Sequence, residues 1–110
     1  MKNLKLSTEL ASSVLGLNVV YIESCEHRDN IIGIWTDMNT KPIKEINIYE
    51  FAFKCKEWAL NKGFNIFSSY KSFSIFQNGI LICSSSGENA EIEAIIKACE
   101  WILEDLKKKI

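Results

Sequence analysis

The sequence lacks most of the features by which enzymes and nucleic-acid-binding proteins are recognised. It has no P-loop, GxGxxG or HExxH motif, and it contains a single histidine, His27, and a single proline, Pro42. Its 13 basic and 14 acidic residues give a formal net charge of −1, so no overall field attracts nucleic acid. We therefore expect no catalysis, no cofactor and no nucleic-acid partner.

Long hydrophobic runs are also absent. No apolar segment approaches the roughly 18 residues that a membrane-spanning helix needs. The amino terminus has no charged, apolar and small-residue pattern of a signal peptide. These absences predict a cytoplasmic protein without a membrane segment.

The cysteines show no pairing pattern. Cys25, Cys55, Cys83 and Cys99 are dispersed, without a CxxC motif. Two of them fall on the apolar faces of predicted helices, where a free thiol acts as a small hydrophobic side chain. We expect reduced cysteines and no metal site.

What is present predicts one α+β domain. The chain has 110 residues, of which 47% are hydrophobic, and this suits a single domain. Hydrophobic periodicity and turn residues predict the order α-β-β-α-β-β-β-α, with a mostly antiparallel sheet. The predicted segments are a helix between Ser7 and Gly16, strands at 18–23 and 31–36, a connection at 37–45, a helix between Asn47 and Gly63, three strands, and a helix from Ala90.

The most complete helix signature lies between Asn47 and Gly63. Asn47 is a good amino-terminal cap, and Gly63 suits a left-handed carboxyl-terminal cap. One face of this helix is apolar and is expected to join the core: Ile48, Phe51, Ala52, Cys55, Trp58 and Ala59. A second apolar strip, Tyr49, Phe53 and Leu60, is interrupted only by Lys56. The helix is therefore expected to have two contact surfaces.

The dipeptide Asn78-Gly79 between apolar runs predicts a β-hairpin with a type I′ turn. A regular register would pair Gln77 with Ile80, Phe76 with Leu81, Ile75 with Ile82 and Ser74 with Cys83. Both faces of this hairpin would then be apolar, so we expect helices or a partner subunit to cover both sides.

Trp101 is predicted to lie almost opposite the core stripe of the last helix, beside Ala94 and Ala98. Such a tryptophan needs cover, and three alternatives stay open. It packs on Tyr49, Phe53 and Leu60 of the same chain, or it joins them in a homodimer contact, or it meets a host or phage protein. These four residues are the candidate interface.

A second candidate site is the loop Cys25–Asn30, with His27, Arg28 and Trp35 as candidate ligand-binding residues. Here the alternative function is a small-ligand or nucleotide-binding module. Cys25 and His27 superficially resemble a nucleophile and a base, but nothing marks an oxyanion hole, so catalysis is the least favoured interpretation.

Three segments resemble a known family: LSTELASSVLG at 6–16, IYEFAFKCKEWALNKGF at 48–64 and AEIEAIIKACEWILEDL at 90–106. Together they are similar to the phage ABA sandwich domain and related small prophage-encoded proteins. The resemblance implies a three-layer helix, sheet and helix arrangement, and it implies no activity or catalytic residue. The resulting hypothesis is a phage or prophage accessory protein that acts by protein binding or self-association.

Overall fold

The computed structural model describes residues 6–24, 30–38, 41–69, 72–86 and 91–108. Within these residues the chain forms three helices and six strands, which confirms the predicted α+β class. In chain order the elements are α1 (Thr8–Leu15), β1 (Tyr21–Ser24), β2 (Ile31–Trp35), β3 (Lys44–Asn47), α2 (Ile48–Asn61), β4 (Phe64–Ser69), β5 (Ser72–Gln77), β6 (Ile80–Ser86) and α3 (Glu91–Lys108). The chain divides into two compact units, residues 1–51 and 52–110, and the boundary falls within α2.

The first unit begins with α1, whose two ends are set by local sequence. The Ser7 hydroxyl accepts a hydrogen bond from the Leu10 amide at 3.1 Å, and Gly16 closes the helix in the left-handed conformation with a φ of 69°. These are the two caps that the sequence predicts. The Ser12 hydroxyl also accepts from the Val19 amide at 2.9 Å, which fixes the chain as it leaves α1 towards β1.

The first sheet has the order β1-β2-β3, and both pairings are antiparallel. The predicted hairpin of β1 and β2 is therefore confirmed. Strand β3 is an addition, because the sequence predicts residues 37–45 only as a connection. Ile46 is the only apolar residue of this strand, and it is buried. Lys44 and Glu45 are exposed, and Asn47 is half-buried. The strand forms because β2 offers it a backbone edge, which a local pattern does not reveal.

The start of α2 is fixed by its first backbone amides. The Ile48 amide donates to the Asn30 carbonyl at 2.7 Å, and the Tyr49 amide donates to the Asn47 side-chain oxygen at 2.8 Å. Two of the amide groups that a helix leaves free at its first turn are thus satisfied. At the other end, Gly63 has a φ of 92°. The predicted core face is confirmed, since all six of its residues are buried: Ile48, Phe51, Ala52, Cys55, Trp58 and Ala59.

The second unit contains an antiparallel sheet of order β4-β5-β6. The turn between β5 and β6 has positive φ at Asn78 (54°) and at Gly79 (78°), as a type I′ turn requires. One face of the sheet is buried through Phe64, Ile66, Phe73 and Ile75, and α3 packs against β4 and β5.

The register of this hairpin corrects part of the prediction. Gln77 pairs with Ile80 and Phe76 with Leu81 as expected, but Ile75 pairs with Cys83 and Ser74 with Ser84. The predicted partners Ile82 for Ile75 and Cys83 for Ser74 are wrong because a β-bulge lies between Ile75 and Phe76. One extra residue on β6 shifts every later pair by one position.

Helix α3 is buried over most of its circumference. Its predicted core residues Ile92, Ile95, Ile96, Cys99 and Ile102 are buried, while Leu103 and Leu106 are half-buried. Ala94 and Ala98, on the side where Trp101 lies, are buried as well. The three-layer arrangement implied by the family resemblance stays a prediction.

Candidate interaction surface

The second apolar strip of α2 is exposed. Tyr49, Phe53 and Leu60, which we call the α2 strip, show 57%, 64% and 59% of their surface to solvent. They lie along one side of a helix, and the line from Tyr49 to Leu60 is about 16 Å long at the usual helical rise. Single exposed apolar residues are common, whereas an aligned set is typical of a contact surface. The described chain does not bury this strip.

The two borders of the α2 strip differ in charge and size. Lys56 lies in its centre and is half-buried, while Glu50 and Glu57 are exposed along one border. The opposite border is formed by the small, buried residues Ala52 and Ala59. The strip therefore has one acidic edge and one edge that continues into the core face of the helix.

The fourth candidate interface residue behaves differently from the other three. Trp101 is half-buried on α3, and its small neighbours Ala94 and Ala98 are 6% and 0% exposed. Phe53 and Leu60 are 64% and 59% exposed, so Trp101 does not bury them within the described residues. The three alternatives for the partner of Trp101 stay predictions.

A further apolar surface lies on the second sheet. On the face opposite its buried side chains, Phe67 and Leu81 are 62% and 52% exposed, and Phe76 is half-buried. The Phe67 and Phe76 rings meet edge to face at 5.3 Å between centroids. The sequence predicts an apolar character for both faces, but the described chain covers only one. Asn65, Ser74 and Ser84 share the exposed face and make it more polar than the α2 strip.

Two thiols meet in the core of the second unit. Cys55 on α2 and Cys99 on α3 are fully buried, and the Cys99 thiol donates a hydrogen bond to the Cys55 carbonyl at 3.4 Å. Hydrogen bonding with Cys99, together with burial and the neighbouring charge of Glu100, raises the pKa of the Cys55 thiol well above its ordinary value. Cys55, Cys83 and Cys99 are free thiols, as predicted, although Cys83 is only half-buried.

The first sheet carries an aromatic pair. Tyr21 and Trp35 are direct cross-strand partners, and their rings lie 5.1 Å apart with a tilt of 56°. The Trp35 ring extends over Gly33, where a Cβ atom would lie 2.9 Å from two of its carbons. Gly33 therefore makes room for the indole. The pKa of the Tyr21 phenol is raised by partial burial, by the charge of Glu23 and by a hydrogen bond with that carboxylate.

Tyr21 is a residue that sequence reasoning missed. Its partnership with Trp35 depends on the register of the first hairpin, and a long loop does not define that register. The candidate ligand residues His27 and Arg28, and most of the loop Cys25–Asn30, lie outside the described residues. Only Trp35 of that candidate set has a described position.

Two other kinds of feature are absent from the described part of the chain. Among residues 6–24, 30–38, 41–69, 72–86 and 91–108, no cluster of three or more His, Cys, Asp or Glu side chains is placed to bind a metal ion. None of the helices in these ranges is long and apolar enough to cross a membrane.

Comparison of the chain with protein-family models, curated proteins and solved structures gave no match. The resemblance to the phage ABA sandwich domain therefore stays a prediction.

Proposed function

We propose that this chain is a non-enzymatic accessory protein of phage or prophage type that acts in the cytoplasm by binding a protein chain through the α2 strip. The observation that carries the binding role is the exposure of Tyr49, Phe53 and Leu60 along one line of a well-capped helix. The phage or prophage origin rests on the family resemblance alone.

The composition of the strip supports a protein partner. Large aromatic side chains supply much of the binding energy at protein interfaces, because they bury a large apolar area with few rotatable bonds. A helix that presents anchors on one line can contact another helix or lie in an apolar groove. The buried residues on the opposite side, Phe51, Cys55 and Trp58, hold the helix in place. Binding therefore requires little ordering of the backbone.

Site-specific photo-crosslinking tests this function, because it captures any protein that contacts the labelled side chain. A benzophenone amino acid is introduced at Phe53 in one protein and at Phe67 in a matched control, since these side chains are exposed to 64% and 62%. We expect a protein adduct in cells from position 53 and none, or far less, from position 67. An absence of adducts at position 53, or equal adducts at both positions, would contradict the proposed function.

A small-ligand-binding module is the second candidate, and the Tyr21–Trp35 pair is the observation that favours it. Two aromatic rings at 5.1 Å form a surface on which a flat or cationic ligand can stack. The neighbouring Glu23 carboxylate repels phosphate, so a nucleotide is the less favoured ligand class. Thermal-shift screening tests this alternative, and a ligand that stabilises the wild type but not Trp35→Ala would support it.

A further inference from the structure

One face of the first sheet carries aromatic and acidic side chains around a glycine. Tyr21 pairs with Trp35, and Gly33 pairs with Glu23 on β1 and with Glu45 on β3. Direct partners in antiparallel strands, and residues two apart along one strand, project from the same face of a sheet. These five residues, which we call the Gly33 face, therefore lie together on one side of the sheet.

The charge on this face is negative. Glu23 and Glu45 are both exposed. Lys44 pairs with Ile34 and therefore belongs to the opposite face, where Ile34 and Ile46 are buried. The described strands thus place two carboxylates and no cationic side chain on the Gly33 face, and this distribution favours a cationic ligand.

The indole of Trp35 extends towards the two glutamates. Its Cη2 and Cζ3 atoms lie next to Gly33, at the position that pairs with Glu23 on one side and with Glu45 on the other. The backbones of these two glutamates are about 10 Å apart, because they are two strand spacings apart. Trp35 is only half-buried, so part of its ring is open to solvent. The face therefore presents an aromatic ring with a carboxylate on each side.

Tyr21 holds one of these carboxylates beside the aromatic rings. Its phenol donates a hydrogen bond to Glu23, and its ring lies 5.1 Å from the Trp35 ring with a tilt of 56°. Rings at this distance are in contact, so a ligand stacks on the outer surface of the pair and not between the rings. An ionised carboxylate has about four acceptor positions, so Glu23 can still accept hydrogen bonds from a ligand.

We propose that the Gly33 face binds a small guanidino compound, whose guanidinium group stacks on the Trp35 ring and donates hydrogen bonds to Glu23 and Glu45. This proposal rests on the small-ligand function above and names its ligand class. A guanidinium group is planar and weakly hydrated, stacks on aromatic rings and carries N–H donors on several edges, which suits a ring between two acceptors. An ammonium group is a compact, strongly hydrated point charge and gains less from the same ring.

The limited size of the aromatic surface favours a small molecule over a protein. Tyr21 exposes 38% of its surface, and Trp35 is half-buried. The pair therefore offers far less than the roughly 800 Å² that each partner contributes to a standard protein interface. Because the site is open to solvent, we expect a dissociation constant on the order of 1 mM for a bare guanidinium group.

Nuclear magnetic resonance titration of the full chain with ethylguanidinium, up to about 20 mM, tests the proposal. Propylammonium is the control, because it has the same charge and a similar size, and both titrations are made at constant ionic strength. We expect the indole signals of Trp35 to shift with ethylguanidinium, and the affinity to be at least fivefold higher than for propylammonium. Equal affinities, no shift of the Trp35 signals, or shifts confined to Trp58 and Trp101 would overturn the proposal.

Neutral variants test the two carboxylates. Glu23→Gln and Glu45→Gln should each weaken the binding of ethylguanidinium at least threefold, and the double variant should weaken it further. Glu57→Gln, an exposed glutamate of α2, is the matched control and should leave the affinity unchanged. Circular dichroism verifies that the variants are folded. Unchanged affinity in the double variant would overturn the proposal.

A flexible peptide of glycine and serine with one arginine tests the source of the guanidinium group. The peptide should bind with nearly the same affinity as ethylguanidinium. An affinity at least tenfold higher would overturn the assignment to a small molecule in favour of a polypeptide.

The ligand class and the underlying function fail in different ways. If ethylguanidinium does not bind but another small ligand stabilises the wild type and not Trp35→Ala, the guanidinium proposal is wrong and the small-ligand function stands. If no ligand has an effect that depends on Trp35, both are wrong. Photo-crosslinking at position 53 tests the α2 strip independently of both.

Discussion

Replacement of Gly33 by alanine tests the packing of the first sheet. The new Cβ atom would lie 2.9 Å from Cη2 and Cζ3 of Trp35 and 3.5 Å from the Pro42 Cβ atom. Carbon atoms in good contact are about 3.5–4.0 Å apart, so the indole must move by several tenths of an ångström or more. Gly33 does not have a positive φ, so alanine fits its backbone conformation without strain. The loss of stability is therefore expected from the contact between the new methyl group and the Trp35 ring.

Two opposing effects determine how Gly33→Ala changes the free energy of unfolding. Crowding of a packed site by one methyl group typically costs about 1–3 kcal/mol. Replacement of a strand glycine by alanine returns roughly 0.5–1 kcal/mol, because the unfolded chain becomes less flexible. Trp35 is half-buried and can partly swing away, although it then loses its contact with Tyr21. We expect a net loss of about 1–2 kcal/mol in the free energy of unfolding.

A double-mutant cycle isolates the contact. Urea denaturation followed by circular dichroism gives the free energy of unfolding of the wild type, Gly33→Ala, Trp35→Ala and the double variant. Without the indole, alanine at position 33 should be neutral or slightly stabilising, so the coupling energy should be about 1–3 kcal/mol. An equal cost of Gly33→Ala in both backgrounds would refute the assignment of Trp35 as the obstacle.

Three further predictions concern the core, the central helix and the hairpin. Because the pKa of Cys55 is raised, the native thiol keeps its proton when the unfolded one ionises. The free energy of unfolding should therefore fall above about pH 9 by up to about 1.4 kcal/mol per pH unit. Cys55→Ala should show a shallower pH dependence, and identical slopes would argue against the assignment. Asn47→Ala should lower the free energy of unfolding by about 1 kcal/mol in thermal melts, whereas Asn47→Asp keeps the cap and should lose much less. Gly79→Val should cost about 1–2 kcal/mol in urea denaturation because of the positive φ at this position, and a neutral result would contradict the type I′ turn.

Local signals predicted the helices and turns well. Ser7 and Gly16 bound α1, Asn47 and Gly63 bound α2, and Asn78-Gly79 forms its turn with positive φ at both residues. In each case the side chain or the glycine acts on backbone groups within a few residues. Caps and tight turns can therefore be predicted from a short segment of sequence without knowledge of the rest of the fold.

Features that depend on pairing between distant segments were not predictable in the same way. Strand β3 has little apolar content and forms through its backbone pairing with β2. The bulge next to Ile75 leaves no signal in a run of apolar residues, because Ile82 and Cys83 both suit a strand. The division of the strands into two sheets likewise follows from pairing and not from periodicity.

The candidate interface was predictable in part. Helical periodicity identified the α2 strip, but exposure decides between core and surface, and only the structure gives the exposure of Tyr49, Phe53 and Leu60. Trp101 was predicted to join the same candidate interface. Unlike the α2 strip, it is half-buried, and its neighbours Ala94 and Ala98 are buried. A single helix pattern does not show what neighbouring segments cover.

Photo-crosslinking at the other two positions of the α2 strip is the most direct test of the central proposal, that this strip is a protein-binding surface. The account predicts protein adducts in cells from a benzophenone amino acid at Tyr49 and at Leu60, and none, or far fewer, from one at Leu81, whose exposure of 52% is similar. Adducts from Leu81 alone, or from none of the three positions, would contradict it.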